Sequence, residues 1–478
     1  MKIGFLSLGC PKNLVDGEVM LGIAQQAGHE LTADAAAADV LVVNTCAFID
    51  KAKQESIDAI LEMAQHKTSG NCSRLVVTGC LAERYRDELR KEIPEIDAVL
   101  GTGEVEKILS AIGSRNAECG TRNAETTAAT VPLPFFATPP LCRTSHVTPR
   151  IPQSAPRIPA LPTYLYDADT PRLLTTPKHF AYVKVAEGCD YTCAFCIIPT
   201  LRGKFRSRDA ASIVKEARSL AARGVKELLL ISQDTTFYGI DRGERGALAR
   251  LLRELNTVDG LEWIRLLYLY PTTITDDVLG AMAACEKVCG YIDLPLQHAS
   301  AAVLKRMRRP GDRRTYDKLL ARIRRHVPDV TLRTTFIVGF PGETDAEFAE
   351  LEQFVSDVEF DHVGVFTYSH EERTRAFAME DSVATALKRK RRDALMARQK
   401  KIVARAQKRR IGTELQVMVD GPSPEHGLVL QGRLRGQAPE IDPIVILTDC
   451  DPSTYSSGDL IKARIVGARE YDLVAAPI

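Results

Sequence analysis

The sequence contains few aromatic residues and no long apolar run. Aromatic residues make up 6% of the 478 positions, and tryptophan occurs once. A membrane-spanning helix needs about 18 or more consecutive apolar residues, and no such stretch is present, so we expect no membrane span. The opening residues, MKIGFLSLGCPKN, become polar too early for a secretory signal. We therefore expect a cytoplasmic protein that has no membrane partner.

The sequence also lacks an excess of either charge. Lysine and arginine number 63 against 62 aspartate and glutamate residues, which gives a net charge of +1. A nearly neutral chain has no general attraction to nucleic acid, so any basic surface must be local. With 478 residues and a hydrophobic content of 45%, the chain is long enough for two or three globular domains.

Cysteine, by contrast, is well represented. Twelve cysteines are present, and in a cytoplasmic protein they should be reduced thiols rather than a disulfide scaffold. Closely spaced cysteines then indicate metal or catalytic use, whereas isolated ones indicate burial. We expect burial for Cys285 and Cys289, which are four residues apart in a helical pattern. Cys119 and Cys142 fall in a proline-rich segment, where we expect exposed free thiols.

The first part of the chain alternates apolar strand patterns with amphipathic helix patterns. The runs KIGFLSLGC, DVLVVNTC and RLVVTGC each read as a strand that leads directly into a cysteine, at Cys10, Cys46 and Cys80. The intervening helical patterns predict a βαβ domain with a parallel sheet. Sites in open α/β sheets form beyond the carboxyl ends of the strands, so three thiols at such ends could converge on one point.

The rest of the chain predicts a second α/β region and an all-β region. Nine of the 25 prolines lie between Pro132 and Pro162, which predicts an irregular linker. Six strand patterns separated by helices indicate a partial (β/α)6 barrel, and short β runs near the end indicate a small all-β barrel. The predicted domains are an N-terminal parallel-sheet domain (residues 1–112), a partly disordered linker (113–174) and a partial barrel (175–386). A basic linking helix (387–411) and a C-terminal β barrel (412–478) follow.

Three further cysteines lie within eight residues. Cys189, Cys193 and Cys196 stand in EGCDYTCAFCIIP, directly after the first strand of the predicted barrel. A loop with this spacing can wrap three thiolates around one iron–sulfur cluster, which normally has four cysteine ligands. Three ligands leave one iron open, and an open position distinguishes a reactive metal centre from a structural one. A zinc knuckle is the structural alternative, but no fourth ligand is close, and His179 lies at the far end of the preceding strand.

The C-x3-C-x2-C spacing, with Phe195 before the last cysteine, resembles the radical S-adenosylmethionine (SAM) superfamily. The resemblance covers roughly residues 179–405, which include the six predicted β/α units. It implies that the open iron of a [4Fe-4S] cluster binds SAM. It also implies that an electron from the cluster cleaves SAM and yields a 5′-deoxyadenosyl radical, with Phe195 near the cofactor.

Two further segments bear on SAM binding. TTFIVGFPGET resembles the superfamily segment that packs on the adenine, which implies cofactor contacts from Ile337 and Gly339. The segment ISQDT ends the second strand of the predicted barrel and offers Gln233 and Asp234 to the polar groups of SAM. A helix N-cap at Asp234 or Thr235 is an equally good interpretation of that segment.

The N-terminal segments extend the resemblance to the radical SAM methylthiotransferase family. SLGCPKNLVDGE, VVNTCAF and VVTGCLAERY match its N-terminal motifs, and the order of the three domains matches as well. The resemblance implies that Cys10, Cys46 and Cys80 hold a second [4Fe-4S] cluster with one open iron, and that the C-terminal barrel is TRAM-like. Two open clusters suit this chemistry, because a radical formed on an unactivated carbon must receive sulfur before it is lost.

Several segments resemble the RimO-like type of this family rather than the MiaB-like type that modifies tRNA adenosine. They are GCPKNLVD, CIIPTLRGKFRSR, LLYLYP and LPLQHAS. The resemblance implies a methylthiotransferase that acts on the β-carbon of an aspartate in small-subunit ribosomal protein twelve, with SAM as both radical source and methyl donor. The expected partners are that protein, free or within the ribosome, an electron donor such as flavodoxin or ferredoxin, and a sulfur donor. We expect a monomer.

Charge in the C-terminal part gives mixed indications. Residues 413–478 hold ten acidic and five basic side chains, which opposes a phosphate backbone and suits a basic protein partner, although such charge can be incidental. Residues 388–410 hold twelve lysine and arginine residues against one aspartate. A solvated linking helix is the favoured interpretation of this run, and contact with ribosomal RNA is the alternative.

The sequence departs from the family in two places, and three other functions are open to it. The linker is longer than expected, with an extra stretch near 141–161, and Arg373 stands where glycine is expected. A tRNA-modifying enzyme would bind tRNA with a steep salt dependence. A two-cluster electron carrier would ligate each cluster with four cysteines rather than three. A zinc-binding scaffold would contain zinc and no acid-labile sulfide.

Overall fold

The computed structural model describes residues 1–113, 161–424, 427 and 429–478. It divides into two compact units, of which the first comprises Met1–Thr175 and Ile197–Lys204 and the second Thr176–Cys196 and Phe205–Ile478. Most of the predicted linker, with Cys119 and Cys142, lies outside the described residues. Within the described ranges, no helix has both the length and the apolar character needed to cross a membrane.

The first unit contains a five-stranded sheet whose strand pairs are all parallel. Its strands are β1 (Lys2–Ser7), β2 (Glu30–Thr32), β3 (Val40–Thr45), β4 (Arg74–Gly79) and β5 (Ile96–Leu100). Their order across the sheet is β2-β1-β3-β4-β5. The helices of this unit are α1 (Pro11–Gln26), α2 (Asp50–Ser69), α3 (Cys80–Arg84), α4 (Arg86–Glu92), α5 (Ile108–Ile112) and α6 (Ile198–Arg202).

The central strands of this sheet are buried along almost their whole length. All residues of β3 are buried, as are all residues of β4 except its first, which is typical of parallel strands covered on both faces. The chain that follows the undescribed segment packs on α1, where the buried carboxylate of Glu18 accepts hydrogen bonds from Arg172 at 2.6 Å and from the Thr175 amide at 2.7 Å. A buried charge therefore holds this segment on α1.

The second unit begins with six parallel strands arranged as two sets of three. The strands are β6 (Phe180–Lys184), β9 (Glu227–Ile231), β10 (Trp263–Leu266), β11 (Tyr291–Asp293), β12 (Thr331–Val338) and β13 (His362–Thr367). A separate antiparallel pair is formed by β7 (Ala186–Glu187) and β8 (Arg206–Ser207). The sets β10-β9-β6 and β11-β12-β13 are linked by a parallel bridge between Ile264 and Val288. The six predicted strands are therefore present, in the order of a partial barrel.

Helices alternate with these strands, and several begin at conventional capping residues. They are α7 (Ala210–Ala222), α8 (Ala247–Asn256), α9 (Asp276–Ala284), α10 (Ala301–Arg306), α11 (Arg313–His326), α12 (Asp345–Val358) and α13 (Thr385–Arg410). Thr344 and Glu347 form a capping box at the start of α12, and Asp312 caps α11. Each cap satisfies amides that the first turn of a helix leaves unpaired. The predicted basic linking helix corresponds to α13.

The loop after β13 contains the residue that replaces an expected glycine. Arg373 has a φ of +63°, which lies in the left-handed region that glycine adopts without strain. The expectation of glycine at this position therefore matches the backbone conformation, and arginine adopts that conformation at a steric cost.

The C-terminal region is a closed five-stranded barrel. Its strands are β14 (Glu414–Pro422), β15 (Leu430–Leu434), β16 (Val445–Leu447), β17 (Leu460–Arg469) and β18 (Asp472–Pro477). They close in the order β14-β15-β16-β18-β17, and every pair is antiparallel except β16 with β18. Closure leaves no exposed sheet edge, and buried residues such as Val417, Val445 and Ile465 fill the interior.

A buried ion network joins this barrel to the starting ends of the parallel strands. The carboxylate of Glu227 accepts hydrogen bonds from Arg265 and Arg433, each at 2.7 Å. Arg433 also binds Asp420 at 2.9 Å, and Asp420 contacts His179 at 2.8 Å. Burial alone would raise the pKa of Glu227, but the two guanidinium groups outweigh it and hold the pKa below its ordinary value. His179 is thereby engaged at the opposite end of its strand from the clustered cysteines, as expected.

Part of the acidic charge of the C-terminal barrel is used inside the second unit. Glu440 accepts a hydrogen bond from the hydroxyl of Tyr182, and Asp442 accepts one from Tyr291, both at 2.6 Å. Asp442 also pairs with Arg333 at 3.2 Å. The excess of acidic residues counted from the sequence therefore overstates the negative charge that this barrel offers to a partner.

Candidate functional site

The three strand-end cysteines lie beyond neighbouring strands of the first unit. Cys10 is the N-cap of α1, Cys46 follows β3, and Cys80 is the first residue of α3 directly after β4. Because β1, β3 and β4 are adjacent and parallel, their carboxyl ends meet at one edge of the sheet. The structure thus brings Cys10, Cys46 and Cys80 to one place, as predicted from their positions. We refer to them as the strand-end set.

A glycine beside the strand-end set allows this close approach. Gly9 has a φ of +93°, and a Cβ atom placed on it would lie 2.7 Å from Cβ of Cys46 and 3.0 Å from its Sγ. Gly79, which precedes Cys80, also has a positive φ, and a Cβ there would overlap the backbone of Thr45. Only glycine combines this backbone conformation with the absence of a side chain.

The thiols of the strand-end set affect one another electrostatically. Burial, together with the neighbouring Cys10 and Cys80 thiols, raises the pKa of the Cys46 thiol to about 12. Burial also raises the pKa of Cys80, where Arg202 acts in the opposite direction. Three neighbouring thiols must lose protons to bind a metal, and nearby cations then favour the resulting anionic charge.

Arg202 is the cation placed to do this. Its Nη2 lies 3.6 Å from Sγ of Cys80, while its Nη1 donates to Asp16 at 2.6 Å. Asn13 accepts a further hydrogen bond from Nη2 at 3.2 Å. Arg202 ends α6, the short helix that follows the second cysteine motif in the chain but belongs to the first unit. Sequence reasoning missed it, since an arginine that approaches a thiol from another element produces no periodic pattern.

The clustered cysteines lie on one loop of the second unit, after β7. Cys189, Cys193 and Cys196 are all partly exposed, and the Cys196 amide donates to the Cys193 carbonyl at 3.1 Å. Ala194 fixes the loop from two sides: its amide donates to the Met307 carbonyl at 2.8 Å, and its carbonyl accepts from the Ala376 amide at 2.7 Å. We refer to these three cysteines as the loop set.

The loop set also has a buried arginine beside it. Nη1 of Arg309 lies 3.8 Å from Sγ of Cys193, and its guanidinium carbon lies 4.2 Å from the ring centre of Tyr270. Tyr270 stacks on Tyr191 of the loop at 3.9 Å. Burial raises the pKa of the Cys189 thiol to about 11. Each set therefore consists of three thiols with one guanidinium within 4 Å of one sulfur, which fits an anionic iron–sulfur cluster.

The predicted SAM-contacting residues fall into two groups in the structure. Phe195 and Ile337 pack against the same hydrophobic group, which contains Phe340 and Tyr368. The amide nitrogen of Gln233 donates to Glu187 at 2.6 Å, whereas its Oε1 is buried and has no hydrogen-bond partner among the described residues. Gln233 therefore has a free acceptor for a ligand, and the assignment of these residues to SAM stays a prediction.

Gly339 and Asp234 are engaged by the protein itself. Gly339 has a φ of +73°, and a Cβ there would overlap the side chain of Lys388 from α13, so its close approach is to Lys388. Asp234 caps the short 3-10 turn Thr235–Phe237 and accepts a hydrogen bond from Tyr191 at 2.7 Å. The N-cap interpretation of Asp234 is therefore confirmed.

Two outlying cysteines are buried in the second unit. Cys285 and Cys289 both lie in the interior, as predicted. Among the described residues, no three side chains of His, Cys, Asp or Glu are close enough to hold a single metal ion. The two cysteine sets therefore bring thiols into one region each, without the close approach that a single shared metal ion requires.

Three family models match the chain. They are an uncharacterised protein family, UPF0004, at residues 2–101, the radical SAM superfamily at residues 183–355, and the TRAM domain at residues 411–478. The first two models contain the strand-end set and the loop set, respectively. The third covers the closed C-terminal barrel.

Curated relatives match over nearly the whole chain. The ribosomal protein uS12 methylthiotransferase RimO of Koribacter versatilis is 48% identical, over 99% of this chain and 96% of that protein. The proteins of the same name from Symbiobacterium thermophilum and Solibacter usitatus are each 46% identical, over 99% of this chain and 90% and 94% of theirs. The radical SAM methyltransferase TsrM of Kitasatospora setae is similar in fold, with a TM-score of 0.50 at 16% identity over 76% of this chain and 72% of that one.

Proposed function

Because this chain belongs to the RimO family of ribosomal protein uS12 methylthiotransferases, we propose that it inserts a methylthio group at the β-carbon of an aspartate of uS12. The observation that carries the proposal is identity of 46–48% along essentially the whole chain. A tRNA adenosine substrate is not favoured, because the relatives with this degree of identity are of the uS12 type.

We propose that the two cysteine sets hold one [4Fe-4S] cluster each. When bound, such clusters supply the electron that cleaves SAM at the loop set and the sulfur that is transferred from the strand-end set. Three thiols in each set leave one coordination position without a protein ligand. Arg309 and Arg202, each within 4 Å of a sulfur, place positive charge against the thiolates and thereby favour ligand binding in the anionic state.

The polar groups beside the loop set suit the amino and carboxylate groups of SAM. Lys184 and Gln233 both contact the carboxylate of Glu187, at distances of 2.6 Å. This arrangement orients the Gln233 amide so that its buried Oε1 is left to accept a hydrogen bond from an ammonium group. Phe195 and Ile337 provide the apolar surface that the adenosyl part would need.

The decisive experiment is mass spectrometry of uS12 from cells with and without this protein, together with turnover by the reconstituted enzyme supplied with SAM, dithionite and sulfide. We expect a mass increase on one aspartate equal to a methylthio group in place of hydrogen. Flavodoxin or ferredoxin is the expected physiological reductant and should replace dithionite. A Cys193→Ala variant serves as the inactive control. Unmodified uS12 beside tRNA with altered adenosine would overturn the proposal in favour of a tRNA substrate.

A further inference from the structure

One helical segment of the second unit has a strong local excess of positive charge. Residues 301–326, which include α10 and α11, hold ten lysine and arginine residues and two aspartates, in a chain whose net charge is +1. A local concentration of this size creates a positive surface potential that the rest of the chain does not share. The sequence analysis identified a basic run in α13, and α10 and α11 contain a second one.

Several of these cations are already used within the protein. Arg306 pairs with Glu347 at 2.9 Å, and Arg313 pairs with Asp317 at 3.0 Å and Asp357 at 2.8 Å. Arg309 is buried beside the loop set. Arg322 and Arg324 donate hydrogen bonds to the carbonyls of Ile274 and Val358, each at 2.7 Å. The other five cations are exposed, and no hydrogen bond or ion pair links their side chains to the described residues: Lys305, Arg308, Arg314, Lys318 and Arg325. We call these five residues the basic face.

Three members of the basic face lie on one side of α11. Arg314, Lys318 and Arg325 follow helical spacing of four and seven residues, opposite the buried Leu319 and Ile323, so they extend over about 16 Å of one helix side. Beside them lies an open cleft of about 700 Å³, whose lining includes Lys318. Asp312 interacts electrostatically with Arg314 and Lys318. With ten basic and two acidic residues, the segment 301–326 still keeps a clear positive excess.

The basic face begins next to the loop set. Met307, which follows α10, accepts the hydrogen bond that fixes Ala194 in the cysteine loop. Arg308 follows it directly and is exposed, while Arg309 turns inward to Cys193. At least one member of the basic face, Arg308, therefore lies between two residues that contact the cysteine loop.

By comparison, α13 offers less free charge than its sequence suggests. Lys388 and Arg391 are buried and paired with Asp381 and Glu343. Other cations of α13 also have acidic partners, namely Arg398, Lys400 and Arg405. Its exposed cations without a partner among the described residues are Arg389, Lys390, Lys401, Lys408 and Arg409. Three of these, Lys390, Lys401 and Lys408, form a matched set for comparison with the three on α11.

We propose that the basic face binds the phosphate backbone of ribosomal RNA next to uS12, so that uS12 held in RNA is bound more tightly than the free polypeptide. The inference rests on the proposed function, because a ribosomal protein is the substrate that brings RNA to this surface. Rows of lysine and arginine without internal partners neutralise phosphates and release counterions. An acidic protein segment is the other partner that such a face could bind, and the experiment distinguishes it from RNA.

The test uses the full-length reconstituted enzyme and small ribosomal subunits purified from cells that lack it. Binding is measured from about 50 to 200 mM salt for wild type, for the triple variant Arg314→Gln/Lys318→Gln/Arg325→Gln, and for the α13 control Lys390→Gln/Lys401→Gln/Lys408→Gln. All six side chains are exposed, so folding should be retained, and thermal unfolding checks this. A protein-free fragment of the small-subunit RNA and isolated uS12 serve as separate probes.

We expect the α11 variant to bind small subunits and the RNA fragment about tenfold more weakly at physiological salt, with the salt slope reduced by about 3, one for each phosphate that is no longer neutralised. Its turnover on isolated uS12 should equal that of wild type, and the α13 control should resemble wild type. Unchanged binding and slope would overturn the inference, as would a weakening confined to the α13 control. A reduced affinity for isolated uS12 would instead indicate a protein-binding face. If wild type binds subunits but never modifies uS12, the proposed function fails while the RNA-binding result stands.

Discussion

The loop set and the strand-end set hold the same number of thiols but depend on the fold in different ways. The loop set occupies one short segment, fixed by two backbone hydrogen bonds of Ala194. The strand-end set is assembled by three strands, and its outermost members, Cys10 and Cys80, are 70 positions apart in the chain. One set therefore requires only a supported loop, whereas the other requires the correct strand order and close backbone contact.

The two sets also share a chemical feature, which is an arginine beside one sulfur. In each set one guanidinium lies within 4 Å of one sulfur, Arg202 at Cys80 and Arg309 at Cys193. Arg309 lies far from both cysteine sets in sequence, whereas Arg202 follows Cys196 by six residues but approaches Cys80 of the other set. The protein thus supplies the counter-charge of each set from a separate element, and the two sets can be perturbed independently.

Removing one thiol from each set should produce the largest difference in activity between the two sets. Cys193→Ala should abolish both SAM cleavage and methylthio transfer, whereas Cys80→Ala should abolish transfer and leave SAM cleavage intact. Formation of 5′-deoxyadenosine and iron content, measured on the same anaerobic preparations, distinguish these results. Each variant should keep roughly half the iron, because the other set is untouched. Equal loss of SAM cleavage in both variants would show that the sets do not act separately.

A change in the backbone should damage the strand-end set alone. Gly9→Ala places a methyl group 2.7 Å from Cβ of Cys46 at a positive φ, which we expect to cost about 2–4 kcal/mol. Gly28→Ala is the control, since its φ is also positive but no atom lies within 4 Å of the new Cβ. The control should lose only about 1–2 kcal/mol. Urea unfolding gives the stabilities, and Gly9→Ala alone should lose half of the iron while SAM cleavage persists.

Arg202 and Arg309 should each raise the reduction potential of the adjacent site only. Arg202→Gln and Arg309→Gln each remove a positive charge beside a thiolate ligand, so reduction, which adds negative charge, becomes less favourable. A loss of about 1.4 kcal/mol corresponds to about 60 mV for one electron. Potentiometric titration followed by electron paramagnetic resonance should show a lower potential for the adjacent site in each variant. Lysine at either position should restore most of the shift, and a shift of the distant site would contradict the assignment.

Lowering the pH should destabilise the fold through His298, which precedes the helix that leads to Met307, a hydrogen-bond partner of the cysteine loop. His298 lies in the segment before α10, accepts a hydrogen bond from the Ser300 amide at 3.0 Å, and is fully buried. Burial lowers its pKa to about 3. Between about pH 6.5 and 3 the unfolded chain binds the proton that the folded chain excludes, so stability falls as pH decreases, by up to about 1.4 kcal/mol per unit.

The pH prediction is tested by urea unfolding of the metal-free protein between about pH 6.5 and 5, where the imidazole of the unfolded chain titrates. His298→Asn keeps an acceptor for the Ser300 amide and removes the titrating group, so its dependence on pH should be flatter than that of wild type. Parallel slopes for the two proteins would show that His298 does not carry the acid sensitivity.

Strands with a strong hydrophobic pattern could be predicted from the sequence, whereas short or partly exposed strands could not. The six strands of the partial barrel and the three central strands of the first sheet are long or apolar enough to be recognised. By contrast, β2 has three residues, none of them buried, and β5 contains an exposed Asp97 that pairs with Lys67 from α2. Such strands form because a neighbouring strand offers unpaired backbone groups, which no local pattern records.

The sequence by itself determined the candidate thiols: the spacing of the loop set, and the placement of Cys10, Cys46 and Cys80 after strands, are local features that follow from residue order. Only the tertiary structure decided what surrounds those ligands. Arg202 and Arg309 reach the sulfurs, Lys388 fills the space beside Gly339, and ion pairs occupy several cations of α11 and α13, because each of these contacts joins residues far apart in the chain. Contacts of this kind depend on how elements pack, and packing is a property of the folded molecule as a whole.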